Sequence, residues 1–380
     1  MSYHETAPAG AKAPDYAALE HALTALGASL RRAVGPRDRR HLRRIELAGR
    51  CCGLLGLATA WLAPNPLSIV LLAQGMMARF LIGHHVGHGG YDAVPGIPPR
   101  LTRQRFARGW RRLIDWPDWW GHEDWLYTHN QLHHPNTQAP LDGDIMEPGA
   151  FAGRPRWFRL LCLIAATLTW KFTYYAPRLR RELARRQAGI RREARYEMRP
   201  RDLLDLTDPV VRALWLRDYA PYLGLRFALP SLLAAPLGAW AAGSMLANLV
   251  LAELLHNAQT FVCIRPSHCA GDIPLFTAPF RDRREFYLQS ILGTVNYRAG
   301  GDVADFLQGW TNYQIEHHLW PSLTLLQYRR ARAPLVAICR RAGLPYREGH
   351  VLDRYRRTAR LFMGLDHQAL LDTRPLLDRS

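Results

Sequence analysis

Four apolar segments, each close to the length of a helix that crosses a lipid bilayer, constrain the fold of this chain of 380 residues more than any other feature. The first two cover residues 45–63 and 67–83 and are joined by the turn sequence PNP. The third and fourth share the tract 219–262, with a turn predicted near GAWAAGS. Because about 20 residues cross the hydrocarbon core, the pattern predicts an all-α integral membrane fold with four transmembrane helices in two hairpins. The alternative is the buried core of a soluble helical protein.

Arginine-rich segments indicate how the two hairpins are oriented. The formal net charge is +18 and is carried almost entirely by arginine, with nine arginines between Arg178 and Arg199 and a dense run over residues 30–50. Because arginine-rich loops stay on the cytoplasmic side, both ends of each hairpin are expected there, as in a multi-pass protein of a bacterial inner membrane. The short apolar block 160–170 lies between arginine clusters and is therefore predicted to be an interfacial helix.

The basic charge also limits the partners. No recognisable nucleic-acid motif accompanies it, so nucleic acid is not expected, and anionic membrane lipid or an acidic protein is the expected counterpart. The arginine bias by itself is also typical of a GC-rich genome.

Composition divides the chain into three parts. Residues 1–44 contain a polar start, predicted to be disordered over 1–14, and an amphipathic helix over 16–34 that is expected to lie on the membrane or on the protein. Residues 45–345 form the membrane domain, and residues 346–380 are predicted to be a cytoplasmic tail.

Half of the sixteen histidines fall into three short motifs, GHHVGH, HNQLHH and QIEHH. His84 and His88 are four residues apart, as are His129 and His133, so each pair shares one face of a helix. Adjacent histidines diverge by about 100° on a regular helix, which lets each of them serve a different ion. Since neutral imidazole binds iron, zinc and copper, the spacing suits a centre of two metal ions.

Topology places the three motifs in one layer at the cytoplasmic surface of the membrane. A further histidine, His256, lies in the fourth apolar segment, six residues or about 9 Å before its cytoplasmic end. An ionisable residue inside a membrane span is by default a candidate for function, so His256 is a candidate ligand. The alternative is a core histidine that hydrogen-bonds to Glu253 one turn away.

Taken together, these motifs resemble the three histidine boxes of the membrane-bound fatty acid desaturases. HHVGH is similar to the family's H-[DE]-x-G-H, HNQLHH to H-x-x-x-H-H, and QIEHH to Q-x-x-H-H, and the flanks GHGGYD and NYQIEHHLWPSL also match. The resemblance implies a cytoplasmic helical cap over a histidine-ligated di-iron centre and O2-dependent desaturation of an acyl chain. Carried over by position, the implied ligands are His84, His88, His129, His133, His134, His256, His317 and His318.

The resemblance also implies cofactors and partners. These are two iron ions, Fe2+ in the resting reduced form, O2 as co-substrate, and electrons from a ferredoxin or cytochrome b5. The chain contains no HPGG haem motif, so the electron donor is expected to be a separate protein. The acyl group is expected on a lipid, coenzyme A or an acyl carrier protein.

Two positions depart from the family pattern. Gln314 stands where other members carry a further histidine, as in the front-end desaturases, and is expected to be a weak ligand or to support one. His85 stands where the family has Asp or Glu; it is either a spare ligand or, as we favour, a residue that faces outward.

Supporting residues are also implied around the ligands. Asp142 and Asp144, after the second box, and Glu253 are expected to accept hydrogen bonds from ligand histidines; the alternative for the two aspartates is a solvated loop. His122 and His268 match no ligand position and are expected at the surface.

Two further questions stay open in the sequence. The tryptophans of WPDWWGHEDW form either the wall of an apolar tunnel or an interfacial belt, the second being favoured. A di-iron hydroxylase or acetylenase would carry the same boxes. A metal transporter fits less well, because transporters place such residues near the middle of the bilayer.

Overall fold

The computed structural model describes residues 15–117, 121–145, 153–190, 200–298 and 300–378. The segment 1–14, predicted to be disordered, lies outside the described residues. Over the described part the chain is mostly helical and its strands are two residues long, in agreement with the predicted all-α class.

The α-helices, in chain order, are α1 (Tyr16–Arg32), α2 (Pro36–Ala60), α3 (Pro66–Gly87), α4 (Arg112–Asp115), α5 (His122–Leu126), α6 (Arg156–Trp170), α7 (Ala176–Gln187), α8 (Pro209–Leu214), α9 (Ala220–Leu223), α10 (Leu229–Ala234), α11 (Ala239–Ile264), α12 (Arg283–Leu292), α13 (Gly301–Leu307), α14 (Gln314–Leu319), α15 (Leu325–Arg341), α16 (Val351–Phe362) and α17 (Arg374–Leu377). The strands are β1 (Leu275–Phe276), β2 (Asn296–Tyr297), β3 (Glu348–Gly349) and β4 (Leu370–Leu371). Within the described ranges, four π-helical segments interrupt or extend the helices: Tyr127–His133, Lys171–Tyr175, Trp215–Tyr219 and Gly224–Ala228.

The first hairpin joins α2 to α3 through the PNP turn. Asn65 caps α3 by accepting a hydrogen bond from the Ser68 amide at 2.8 Å, and Pro66 occupies its first turn, where it costs no hydrogen bond. Small residues let the two helices pack closely: a Cβ atom added to Gly49 would lie 2.4 Å from the Cβ of Ala78. The predicted span 45–63 is thus the apolar end of one long helix.

The second hairpin joins the segment from α8 to α10, which π-helical turns divide, to the continuous helix α11. The turn is Gly238, whose φ of +108° is accessible to glycine at little cost, so the predicted position near GAWAAGS is confirmed. Among the described residues, two helical stretches are long and apolar enough to cross a membrane, Pro66–Gly87 and Ala239–Ser267.

The turns of the two hairpins lie side by side. Asn248 of α11 donates hydrogen bonds to the carbonyls of Ala60 and Ala63 at 2.8 Å and accepts one from the amide of Asn65 at 2.9 Å. The indole of Trp240 donates to the carbonyl of Leu62 at 2.9 Å. The opposite ends of α3 and α11 therefore point to the same side of the molecule.

On that side lies the cap, defined as α1 together with the described residues of 88–145 and 265–378. Helix α1 confirms the helix predicted over 16–34, and it packs on α12 and α15 of the cap. The sequence left open whether this helix lies on the membrane or on the protein; the structure places it on the protein. Gln327 of α15 donates to Asp38 at 3.1 Å, which ties the start of α2 to the cap.

The C-terminal residues are also part of the cap. β3 pairs in parallel with β2, and β4 pairs in parallel with β1. Buried Arg354 of α16 bonds to the Asp272 carboxylate at 2.6 Å and to the Pro266 carbonyl. The segment predicted to be a tail therefore packs against the loop that follows α11.

Two side-chain amides, one on α3 and one on α11, hold the C-terminal end of α13. Gln74 of α3 donates to the carbonyl of Phe306 at 2.9 Å, and Gln259 of α11 donates to that of Leu307 at 2.7 Å. Gln259 also donates to Gln74 at 2.9 Å. The end of α13, whose carbonyls have no partner inside the helix, is thus anchored just before the segment that contains the third histidine box.

The contact between α1 and Trp320 gives a test of the cap. A Cβ atom at Gly27 would lie 2.5 Å from the indole Nε1 of Trp320, two residues after the third box. We expect Gly27→Leu to destabilise the protein by about 1–3 kcal/mol through overpacking. Thermal unfolding in detergent measures this change. Gly243→Leu is the matched control, because nothing lies within 4 Å of a Cβ there; equal effects of both variants would contradict the assigned contact.

Candidate metal centre

The first histidine box lies at the C-terminal end of α3, which the sequence predicts to be on the cytoplasmic side. His84 is in the last turn of the helix, and His88 is the residue that follows it. The Nε2 atom of His84 lies 3.0 Å from the Nε2 atom of His317, and the rings of His88 and His134 are 4.5 Å apart at their centroids. Box one therefore meets both other boxes.

The second box lies on the π-helix Tyr127–His133, a feature that the sequence did not indicate. In a π-helix the residue five positions further on, rather than four, completes the turn. His129 and His134 are separated by five positions, and their Nε2 atoms lie 3.2 Å apart. The ring of His133 also stacks on that of His129 at 5.3 Å. The local backbone thus turns all three imidazoles to one side.

The third box forms the short helix α14, which is completely buried. Its Glu316 carboxylate accepts hydrogen bonds from the Asn296 amide and the Tyr346 hydroxyl, each at 2.8 Å. Asn296 in turn accepts the amide of Ile315 at 2.8 Å. These bonds fix the box to β2 and to the segment before β3, which holds His317 and His318 toward the other boxes.

The candidate ligand atoms converge. Among the described residues, groups whose ligand atoms all lie within 4.8 Å of one another are His84–His88–His129–His317, His133–His268–His318, His134–His317–His318 and His129–His133–Asp144. Seven histidines predicted as ligands belong to these groups. Shared members link the groups, so they form one continuous cluster with room for more than one ion.

His268 is the member that the sequence reasoning missed. It was expected at the surface, but its side chain is buried, with its ring 5.0 Å from that of His133 and 4.8 Å from that of His318. The 3-10 turn Arg265–Ser267 at the end of α11 places it there, and Gln138 donates to its carbonyl at 2.7 Å. The available signal was its position directly after the fourth apolar segment, at the same depth as the boxes.

His256 lies elsewhere. It is fully buried in α11 and belongs to none of the groups found in the described part of the chain. Nearby, Glu253 accepts hydrogen bonds from Lys171 at 2.7 Å, Tyr222 at 2.7 Å and Asn257 at 2.9 Å. Glu253 was expected to accept a hydrogen bond from a ligand histidine. In the structure it forms a buried ion pair with Lys171 instead.

Both aspartates after the second box reach His133. Its Nδ1 atom lies 2.9 Å from a carboxylate oxygen of Asp142 and 3.4 Å from one of Asp144, and Arg178 pairs with Asp144 at 2.7 Å. The supporting role expected for Asp142 and Asp144 matches this geometry, and the alternative of a solvated loop is wrong for fully buried Asp142. A carboxylate on Nδ1 fixes the tautomer that leaves Nε2 available to a metal.

Three other expectations of exposure are wrong. His85 is buried, and its ring lies 5.3 Å from that of His317 and 5.5 Å from that of Tyr328. His122 is buried between Trp116 and Trp125. Both tryptophans are themselves buried, so the interfacial belt is excluded for them; Trp119 and Trp120 lie outside the described residues.

Most imidazoles of the cluster are held in the neutral form that metal binding requires. Burial lowers the pKa of His88, His129, His134, His268, His317 and His318, which keeps their imidazoles neutral. At His133 burial acts in the same direction, but Asp142 and Asp144 outweigh it and raise the pKa. The Nε2 atoms of His88 and His318 are buried with no hydrogen-bond partner. A buried polar atom in this position calls for a ligand, and nitrogen donors of this kind fit iron, zinc or copper.

A narrow cavity of about 50 Å³ adjoins the cluster. Its apolar wall is formed by Phe80, Leu81, Trp125, Trp170, Tyr175, Ile264 and Trp310. Gln314 lines the same cavity and its side chain contacts His268, so it lies beside the ligands as expected. Trp125 is a wall of this cavity, but a volume of about 50 Å³ is too small for an acyl chain, so the tunnel alternative stays a prediction.

Comparison with known proteins gives a consistent result. The sequence model of the family described as "Fatty acid desaturase" matches residues 56–350. The "NADPH-dependent stearoyl-CoA 9-desaturase" of Mycobacterium tuberculosis is 25% identical over 358 residues, covering 90% of this chain and 78% of the relative. Shorter matches are the "Delta(8)-fatty-acid desaturase" of Euglena gracilis, 38% identical over 18% of this chain and 16% of the relative, and the "Acyl-lipid (7-3)-desaturase, chloroplastic" of Chlamydomonas reinhardtii, 31% identical over 19% and 15%.

The placement of His268 and His256 predicts different metal contents for two variants. His268→Ala removes an imidazole that converges with His133 and His318, so the purified variant is expected to lose metal. His256→Ala is expected to keep it, because His256 lies in none of the groups. Metal per chain, measured by mass spectrometry beside thermal unfolding, checks both. Retention of metal by His268→Ala with loss in His256→Ala would reverse the assignment.

Proposed function

This chain belongs to the fatty acid desaturase family, whose members are oxidoreductases that desaturate acyl chains, and we propose that it does so with a di-iron centre, O2 and electrons from a separate protein. The observation that supports the di-iron centre best is the convergence of buried imidazoles from all three boxes within 4.8 Å of one another. The shared histidines give enough nitrogen donors for two adjacent ions.

The proposed ligands are His84, His88, His129, His133, His134, His268, His317 and His318. His268 replaces His256 in this set because it converges with His133 and His318. When bound and reduced, iron activates O2 so that hydrogen can be removed from an unactivated CH2 group. Gln314 remains a weak ligand or a support for His268.

The chain's own residues orient the ligands and keep water out. Asp142 holds His133, the hydroxyl of Thr137 lies 3.1 Å from Nδ1 of His318, and that of Tyr328 lies 3.3 Å from Nδ1 of His317. Each contact engages Nδ1 and directs Nε2 inward. The aromatic wall of the cavity excludes water, which protects a reactive site from side reactions.

We propose four transmembrane helices in two hairpins, with the centre at the cytoplasmic face of a bacterial inner membrane. Both hairpin turns lie together at one end, and the histidine groups of the described residues lie at the other end of α3 and α11. The arginine-rich first half of α2 is on the histidine side, where the charge rule requires it. Helix α6 is then interfacial: Trp157, Leu160 and Leu161 are exposed on it.

The domain division 1–44, 45–345 and 346–380 is kept as a proposal, with the first and last parts completing the cap. The substrate proposed first is an acyl-CoA, because the mycobacterial relative is named for stearoyl-CoA. A lipid-bound or carrier-bound acyl chain is the alternative, and the algal relative is named for acyl lipid. The electron donor is a ferredoxin-like protein or cytochrome b5, since an acidic donor matches the basic cap.

Product analysis tests the reaction. Expression in a host of known lipid composition is expected to give an acyl chain two hydrogens lighter, detected by mass spectrometry of the total lipids. His317→Ala, which removes a histidine shared by two groups, is expected to abolish this product, and Arg340→Gln, at the exposed end of α15, is expected to keep it. A product that gains one oxygen instead would assign the chain to the hydroxylases.

A further inference from the structure

Aromatic side chains form a continuous row that runs from the histidine cluster to the surface of α16. This aromatic row consists of Trp125, Tyr175, Trp170, Phe261 and Tyr355, and each of them contacts the next. The first three line the cavity beside the cluster. The proposed reaction gives none of the five a chemical role.

The inner end of the aromatic row contacts the proposed ligands. The indole of Trp125 stacks on the imidazole of His129, with the ring centroids 4.6 Å apart and the planes inclined by 19°. It also lies 5.2 Å from the ring of His84. Trp125 is buried, so the face of His129 that it covers is in contact with an indole and not with water.

A hydrogen bond and a π-helix connect Trp125 to Trp170. The indole N–H of Trp125 donates to the hydroxyl of Tyr175. Tyr175 ends the π-helix that follows Trp170, and residues five positions apart share one face of such a helix. The rings of Trp170 and Tyr175 are accordingly 5.0 Å apart in an edge-to-face arrangement. The local backbone thus brings two electron-rich rings into contact behind Trp125.

The outer end of the aromatic row is the half-buried residue Tyr355. The ring of Phe261 lies 6.5 Å from that of Trp170 and 6.4 Å from that of Tyr355. The hydroxyl of Tyr355 lies 3.2 Å from that of Thr167, and the next residue, Arg356, is exposed. An acidic electron-donor protein that is attracted to the basic cap can therefore approach this end of the row.

The sequence of these side chains suits one-electron transfer. Iron that has activated O2 is a strong oxidant, and without an acyl chain in place the groups nearest to it are its own imidazoles. An indole gives up an electron more readily than an imidazole does. Electron transfer also weakens steeply with distance, so a row of rings in contact favours it. Removing the oxidising equivalent along such a row prevents side reactions in a site that is closed to water.

We propose that the aromatic row supplies electrons to the metal centre when O2 has reacted there without an acyl chain, which spares the ligand histidines; this inference rests on the proposed function. In the first step one electron passes from the indole of Trp125 to the centre. The indole becomes a radical cation whose proton stays on Nε1, hydrogen-bonded to Tyr175.

The following steps restore the row. Trp170 returns one electron to Trp125, and a one-electron donor of the ferredoxin class returns one electron to Trp170 through Phe261 and Tyr355. In total the donor is oxidised by one electron, the centre is reduced by one electron, and no proton leaves the row.

The test uses the full iron-loaded protein in detergent, reduced with dithionite, freed of it and mixed with O2 in the absence of any acyl substrate. Samples frozen at successive times are examined by electron paramagnetic resonance, which detects an organic radical and separates tryptophan from tyrosine. The wild type is expected to give a tryptophan radical, and Trp125→Phe is expected to lose it. Trp170→Phe is expected to keep the radical and to prolong its lifetime, because the return of an electron to Trp125 is interrupted.

Trp215→Phe is the matched control, because the described ring contact of Trp215 is with Tyr219, outside the aromatic row. It is expected to give the same radical as the wild type. The same radical in Trp125→Phe, its loss in Trp215→Phe, or an unchanged lifetime in Trp170→Phe would overturn the proposal. If Trp125→Phe does not fold, Tyr175→Phe is measured instead. It removes the hydroxyl that accepts the indole hydrogen bond, so an unchanged radical spectrum overturns the proposal as well.

Iron content and acyl products, measured on the same samples, separate the two possible failures. A wild type that holds iron and desaturates an acyl chain but gives no organic radical contradicts the aromatic row alone. A wild type that holds no iron contradicts the proposed function and, with it, this inference.

Discussion

The burial of many imidazoles in one pocket that excludes water is the constraint on which the rest of the structure depends. Neutral imidazoles are the outcome of that burial, and their inward nitrogens need a partner that water does not supply. On the outer side of the imidazoles, the side chains of Asp142, Thr137 and Tyr328 each lie within hydrogen-bonding distance of an Nδ1 atom. The histidines are thereby held ready for metal on the inner side.

The local backbone conformation also brings the imidazoles together. The π-helix of box two turns His129 and His134 toward each other, and π-helical segments are common at functional sites. Long-range hydrogen bonds then hold segments that have little core of their own. The amides of Gln74 and Gln259 anchor the end of α13, and Gln138 holds the loop after α11. The two hairpins and the cap are thus joined where the histidines meet.

The sequence predicted what short-range patterns encode. Dense histidine motifs at helical spacing gave seven members of the cluster, and the turn near GAWAAGS, which the structure places at Gly238, was predicted from the sequence. His268 could not be found in this way, because its position depends on a 3-10 turn and on Gln138, 130 residues away in the chain. The outward placement of His85 failed since both faces of α3 are covered at its end, one of them by Tyr328 of α15.

The metal content of the purified protein tests the central assignment most directly. Two adjacent ions held by shared histidines require about two irons per chain, and His317→Ala should lose both together, because His317 belongs to two of the groups. A Mössbauer spectrum of two coupled irons would identify the pair. A single zinc ion per chain that survives His317→Ala would contradict the di-iron centre.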